Sequence, residues 1–533
     1  MKKSLLFTGL LSVLLLSGVN AQSVVTVSGD INVNTTWTNN NVYLLSGFVY
    51  VTNNAELTIQ PGTIIKGEKA SKGSLIVTRG SKLIADGTSA QPIVFTSNEP
   101  AGQRTYGDWG GLIILGRAPL NDPAGEKLIE GGIDPVKGLY GGTDPSDNSG
   151  IIRYVRIEFP GIAFMPNNEI NGLTLGGVGN GTVVDYVMVS FSGDDSYECF
   201  GGTVNAKHLI AYRGLDDDFD TDFGYSGNMQ FLVGLRDSSV ADISGSNGFE
   251  SDNDASGTTN APFTNAKYSN VTLIGPISGT GNTYNSNYKR GAHLRRSTKT
   301  CIYNSAVAGY PTGLLVDGAN CETNANNGDL QVRNSIWAGC NTPLAVASGS
   351  TFDITAWYNT PSYGNSLLTS PTDLQLTDAY DYSSPDFIPV QGSPLLSGAD
   401  FSSANLQNSF FDVVTYKGAF GTTDWTSGWS NYDCQNTGYS VGINEFSSIE
   451  QVSLYPNPVD ANSRLEFRLT APFVGSIVIL DLQGRVVKDL QIDRLEIGNH
   501  SIRLDDADNL TAGTYHLVLR SSGGSKAFRL IKN

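Results

Sequence analysis

Ile152-Arg-Tyr-Val-Arg-Ile157 returns 32 residues later as Val184-Asp-Tyr-Val-Met-Val189, and 22 residues after that as Ala206-Lys-His-Leu-Ile-Ala211. Later copies read Lys267-Tyr-Ser-Asn-Val-Thr-Leu273, Lys299-Thr-Cys-Ile-Tyr-Asn-Ser305 and Leu330-Gln-Val-Arg-Asn-Ser-Ile336. Self-similarity at roughly 20 to 35 residues marks a solenoid, because each repeat buries its apolar face only against its neighbours. The repeated unit is β-branched and broken by Gly and Asn, and long 3.6-residue periods are missing. The expectation is an all-β chain: a right-handed parallel β-helix whose rungs stack at about 4.8 Å. Asn270, Asn304 and Asn334 recur at one place in the repeat, which suits left-handed corners or a stacked amide ladder.

Composition agrees. Gly accounts for 61 of 533 residues, and hydrophobic residues for 39%, too many for a disordered acidic chain. Charged residues are only 16% and the net charge is −17. Such acidity argues against nucleic acid as a partner, since phosphate binding needs clustered Lys and Arg. Lys2 and Lys3, the apolar run Leu5 to Leu16 and the small residues up to Ala21 read as a signal peptide, residues 1–21. Its removal takes the net charge to −19, and no later run is apolar enough to span a membrane. The body is taken as 22–446, with a C-terminal cap from about 385. Trp425 and Trp429, with Phe410, Phe411 and Phe420, are expected to close the open end of the coil. From 447 to 533 ten acids balance ten bases, so the negative charge belongs to the body. The tail alternates like a small antiparallel β-sandwich. The five cysteines, Cys199, Cys301, Cys321, Cys340 and Cys434, contain no C-x-x-C pair and read as buried small residues.

One constellation carries chemistry. Between Asp185 and Asp254 there are fourteen acids and three bases, Lys207, Arg213 and Arg236. Asp194-Asp195-x-x-Glu198 recurs 22 residues on as Asp216-Asp217-x-x-Asp220. A 22-residue rung therefore stacks Asp194 near Asp216 and Asp195 near Asp217. Residues i and i+2 share a strand face, so Asp216, Asp218, Asp220 and Asp222 are expected on one side, with Leu215, Phe219 and Phe223 inward. Glu250, Asp252 and Asp254 repeat the device. Hard oxygen ligands at this density favour Ca²⁺. The candidate ligands are Asp194, Asp195, Glu198, Asp216, Asp218, Asp220, Asp222, Glu250, Asp252 and Asp254. Two other readings stand beside this one: a solvated acidic face without an ion, and catalysis by an Asp pair drawn from Asp194, Asp195 and Asp217 with Arg213 or Arg236. Arg290-Gly-Ala-His-Leu-Arg-Arg296 reads as a counter-charge to the acidic rungs. Too few histidines fall in the body for a His₃ zinc site, and serine-elbow and P-loop motifs are missing.

The tail motifs Leu454-Tyr-Pro-Asn-Pro-Val459, Asp481-Leu-Gln-Gly-Arg-Val-Val487, Leu510-Thr-Ala-Gly-Thr-Tyr515 and Arg529-Leu-Ile-Lys-Asn533 resemble the C-terminal sorting domain of type IX secretion cargo in Bacteroidetes. That resemblance implies export across the outer membrane by the type IX machinery, to the surface or the medium. The body is similar to secreted Bacteroidetes β-helices of the pectate-lyase-like superfold, through Leu57-Thr-Ile-Gln-Pro-Gly62, Gly107-Asp-Trp-Gly-Gly111, Phe200-Gly-Gly-Thr-Val-Asn205 and Pro385-Asp-Phe-Ile-Pro389. Gly193-Asp194-Asp195 resembles the Gly-Asp-Asp of polygalacturonase-type glycosidases, whose Gly-His-Gly and Arg-x-Lys elements do not follow. The expected function is a non-catalytic surface or extracellular binding protein, adhesin-like, monomeric and calcium-dependent, with a glycan or surface lipopolysaccharide as ligand. The alternative is a polysaccharide lyase or glycoside hydrolase on acidic glycans.

Overall fold

The computed structural model describes residues 23–165, 168–439, 449–460, 462–470, 472–481, 485–504, 510–521 and 524–533. The expected signal peptide, 1–21, lies outside the described residues. The chain divides into two compact units, Val24–Thr437 and a C-terminal unit from Gly438.

The first unit is a parallel β-helix of three sheets. The repeat strands Gly150–Glu158, Val183–Ser190, Asn205–Tyr212, Asn228–Leu235 and Lys267–Ile274 pair in parallel register, with Ile152, Val184, Ala206, Met229 and Tyr268 in one column. Each strand serves two sheets, because it bends at one residue of positive φ: Tyr154 (49°), Tyr186 (53°), His208 (50°), Phe231 (61°) and Asn270 (56°). Asn304 (50°) and Asn334 (52°) continue the column. A non-glycine residue there costs about 1–2 kcal/mol, and stacking along the column offsets it. Ring centroids lie 4.4 Å apart for Tyr154 and Tyr186, 4.1 Å for Tyr186 and His208, and 5.2 Å for His208 and Phe231.

The third sheet contains Leu173–Gly176, Tyr197–Phe200, Phe219–Asp222, Asn247–Ser251, Arg290–Leu294 and Thr312–Val316. Its inward residues Leu173, Tyr197, Phe219, Phe249, Ala292 and Leu314 join the central core. Tyr197 stacks on Phe219 at 5.3 Å. An excursion between Gly116 and Ser149 packs Leu120, Ile129, Ile133 and Tyr140 over the outer side of this sheet.

The end of the coil is closed earlier than expected. Helix Ile354–Tyr358, capped by Asp353, sends Ile354, Trp357 and Tyr358 into the central core. Trp425 and Trp429 lie instead on the flank, edge-on to Tyr186 at 6.4 and 5.8 Å. They belong to a strap that runs along the bend column. Gln230 binds Asp412 through both backbone groups at 2.8 Å, and Asn304 takes the Asp400 N–H at 2.8 Å. Asn270 donates to the Tyr416 carbonyl at 2.9 Å. The physical reason is satisfaction: an amide side chain at an outward bend presents donors and an acceptor that burial must pair. The five cysteines are free and buried.

The C-terminal unit is antiparallel. Ile449–Tyr455, Arg464–Leu469 and Gly498–Arg503 form one sheet, and Phe473–Leu480, Val486–Leu495, Gly513–Ser521 and Gly524–Lys532 the other. Leu465, Phe467 and Leu469 alternate inward with Arg464, Glu466 and Arg468 outward.

Candidate functional site

Inward Tyr197, Phe219 and Phe249 force their neighbours outward, and the 22-residue rung aligns them. Glu198 pairs with Asp220, Asp220 with Glu250, and Glu250 with His293. The turn before the sheet adds a second row. The Asp217 N–H donates to Asp195 Oδ1 at 2.7 Å. Asp195, Glu198 and Asp217 are 7%, 8% and 4% exposed.

Three triads result: Asp194, Asp195 and Asp216; Asp195, Glu198 and Asp220; and Asp217, Asp220 and Glu250. In each, one carboxylate oxygen per residue lies within 4.8 Å of the others. Asp195 and Asp220 each belong to two triads. Two ionised carboxylates at about 5 Å repel by roughly 3 kcal/mol at an effective dielectric near 20. Burial, then the charge of neighbouring acids, accordingly holds Asp194, Asp195, Glu198, Asp217 and Asp220 well above the usual carboxylate range. Burial pushes Asp216 up to about 6. One member differs. Burial raises Glu250, but the His293 hydrogen bond and Arg295 outweigh it and hold Glu250 below the ordinary value.

Four expected ligands go elsewhere. Alternation holds inside Phe219–Asp222, but the chain turns its corner at 216–218 and the parity slips by one. Asp217 therefore joins the outer cluster, and Asp218 points into the coil, where Arg236 meets it at 3.2 Å and both are fully buried. Asp222 lies beyond the triads, accepts the Phe223 N–H at 2.6 Å and is pushed up to about 8 by burial. Asp252 is taken by Arg295 and Arg296, each at 2.7 Å. Asp254 closes its own loop by accepting the Ser256 and Thr258 N–H groups at 2.9 and 3.1 Å. Arg213 pairs with Asp237, away from the ladder, between Phe191 and Tyr382. Arg295 and Arg296 stand as counter-charges to Glu250 and Asp252, and His293 lies within hydrogen-bond reach of Glu250.

Two neighbours escaped the sequence reading. Asn171 donates to Glu130 at 3.1 Å and also to Glu198. Glu130 arrives on the excursion, more than sixty residues before the acidic rungs, so no local spacing marked it.

A model of the pectate-lyase-like β-helix domain matches residues 29–366. The chain belongs to this family. The secretion system C-terminal sorting domain matches residues 453–533. This pectate-lyase-like β-helix is therefore type IX secretion cargo, delivered to the cell surface or the extracellular space, and its tail engages that machinery. No curated protein matches the chain. Among solved structures, full-length tailspike protein 2 from an Escherichia coli O157:H7 bacteriophage is 12% identical at a TM-score of 0.22, covering 92% of this chain and 59% of the tailspike. The enzymatically active domain of bacteriophage CBA120 tailspike protein 2 is 11% identical at 0.20, covering 92% and 66%. No helix among the described residues is long and apolar enough to cross a membrane.

Proposed function

We propose that the outer face of the third sheet is a divalent-cation site, filled by Ca²⁺, in a non-catalytic extracellular binding protein. One observation carries the reading: Asp195 and Asp220 are each shared between two triads, so adjacent cations would be bridged by common carboxylates. The donor set fits. Asp220 Oδ1 is buried without a hydrogen-bond partner among the described residues, and seven acids supply only oxygens. Asp194, Asp195 and Asp216 would hold one ion, Asp195, Glu198 and Asp220 the next, and Asp217, Asp220 and Glu250 a third. Bound calcium would supply positive charge on a rigid face for an anionic or hydroxyl-rich ligand, a glycan or surface lipopolysaccharide, with the protein acting as a monomer. Isothermal calorimetry of the purified chain with calcium tests this. Saturable heat with a rise in melting temperature is expected; the absence of both overturns it.

A second reading, glycoside hydrolysis or lysis of an acidic glycan, draws on a different observation. Glu250 is held below the ordinary carboxylate value beside Asp217 and Asp220, which are held well above it. That split is what an acid and base pair requires. Product from a panel of polyuronates and neutral glycans, lost in Asp220→Asn, would select it over binding alone.

A further inference from the structure

The outer face of the third sheet changes sign within one rung. Asn247 pairs with Arg290, and Arg290 with Thr312. The acids nearest Arg290 are already engaged. His293 lies between Glu250 at 3.3 Å and Asp317 at 2.9 Å, and Arg295 takes the other Glu250 oxygen. Arg213, Arg236, Arg295 and Arg296 each have a carboxylate partner. The half-buried Arg290 guanidinium has no hydrogen-bond or ion-pair partner among the described residues. An unpaired, partly desolvated cation is unfavourable, and in a chain of net charge −17 counter-charges are plentiful.

Arg290 faces a cavity of about 410 Å³ that Tyr284, Lys289, Pro311 and Thr312 help to line. Lys289 is laid across Gly245, where a Cβ would come within 2.8 Å of its Cγ. Its Nζ donates to the Ser286 carbonyl at 3.0 Å, which leaves two N–H donors. The Tyr284 hydroxyl accepts from Asn341 Nδ2 at 3.2 Å, which leaves its own proton to donate. The lining includes no carboxylate. A guanidinium fork, an ammonium and hydroxyls lining one cavity suit a tetrahedral oxyanion, whose terminal oxygens diverge; a carboxylate offers two oxygens in one plane.

We propose that this pocket binds the sulfate or phosphate monoester group of an extracellular ligand, with Arg290 as the bidentate contact and Lys289 as a point charge. The site lies one rung from the acidic ladder, on residues that the triads do not use, and does not depend on the cation reading.

The test is ligand-observed NMR and calorimetry on the full chain with glucose 6-sulfate, glucose 6-phosphate, glucuronate and glucose, in chelator and again in calcium. One or both esters are expected to bind in chelator, displaced by inorganic sulfate or phosphate, with Arg290→Gln and Lys289→Gln each weakening binding about tenfold or more. A preference between the two esters identifies which source the site serves. Glucuronate binding as tightly as the esters overturns the tetrahedral assignment. Binding that requires calcium places the anion on a cation instead and also overturns it. No binding, or binding unchanged in both variants, overturns the site itself. If Arg290→Gln lowers the melting temperature enough to unfold the chain, Lys289→Gln and Thr312→Val decide between these outcomes, because both alter the lining without touching the guanidinium.

Discussion

Asp220 contributes to two triads and keeps a buried oxygen without a partner. Asp220→Asn removes an ionisable carboxyl from a crowded row while keeping the shape. Thermal melts in chelator are expected to show the variant more stable than the parent by about 1–3 kcal/mol, the scale of a carboxylate pair at this spacing, and calcium is expected to stabilise it less than the parent. Asp218 behaves in the opposite way. Its ion pair with Arg236 is enclosed by the coil, so Arg236→Ala is expected to cost about 3–5 kcal/mol by chemical denaturation, whereas Arg236→Met with Asp218→Leu is expected to cost far less. The raised carboxyls also set a pH dependence. Burial holds Asp216 at about 6, Asp218 at about 7 and Asp222 at about 8, against about 3.9 in an unfolded chain. The folded state then binds protons that the unfolded state releases. The contribution of these three groups to stability is full below about pH 4 and is lost as pH rises through 6 to 8. The chelated protein is expected to melt lower at pH 8 than at pH 5, and calcium is expected to remove only the share owed to Asp216 and the other triad acids. Equal melting at both values would refute it.

The strand bend is where the elements of this coil acquire their partners. Asn304 holds a φ of 50° and pairs both Asp400 backbone groups through its amide. Asn304→Gly keeps the bend and loses the strap contacts; Asn304→Ala loses both. Denaturant unfolding is expected to show a cost of about 1–3 kcal/mol for Gly from the lost hydrogen bonds and about 1 kcal/mol more for Ala from the left-handed backbone. Equal costs would show that the bend itself is unstrained. The repeat spacing made the rungs legible, since Glu198 and Asp220 stand 22 residues apart in sequence and opposite in register. Strict alternation, however, belongs to a fully extended chain, and 216–218 is a corner. Parity therefore misassigned Asp217 and Asp218. The flank strap was illegible for another reason: its aromatic residues look the same whether they cover an end or a side.

At the scale of the whole molecule, a neutral tail follows a strongly acidic body. Removing 447–533 is expected to leave the β-helix folded and trapped in the periplasm, by cell fractionation and circular dichroism; normal surface delivery would contradict the sorting role. Repeat period, β-branched strands, turn glycines and tail motifs were local or periodic, so the sequence by itself determined the parallel coil, the sorting domain and the rows on which the acids stack. Which acids converge, which are paired by Arg295, Arg296 or Arg236, and that Glu130 and Asn171 join them depended on corners, an excursion and rungs distant in sequence. Only the tertiary structure decided those, because electrostatic partnership acts through space over a few ångströms and a sequence records distance along the chain.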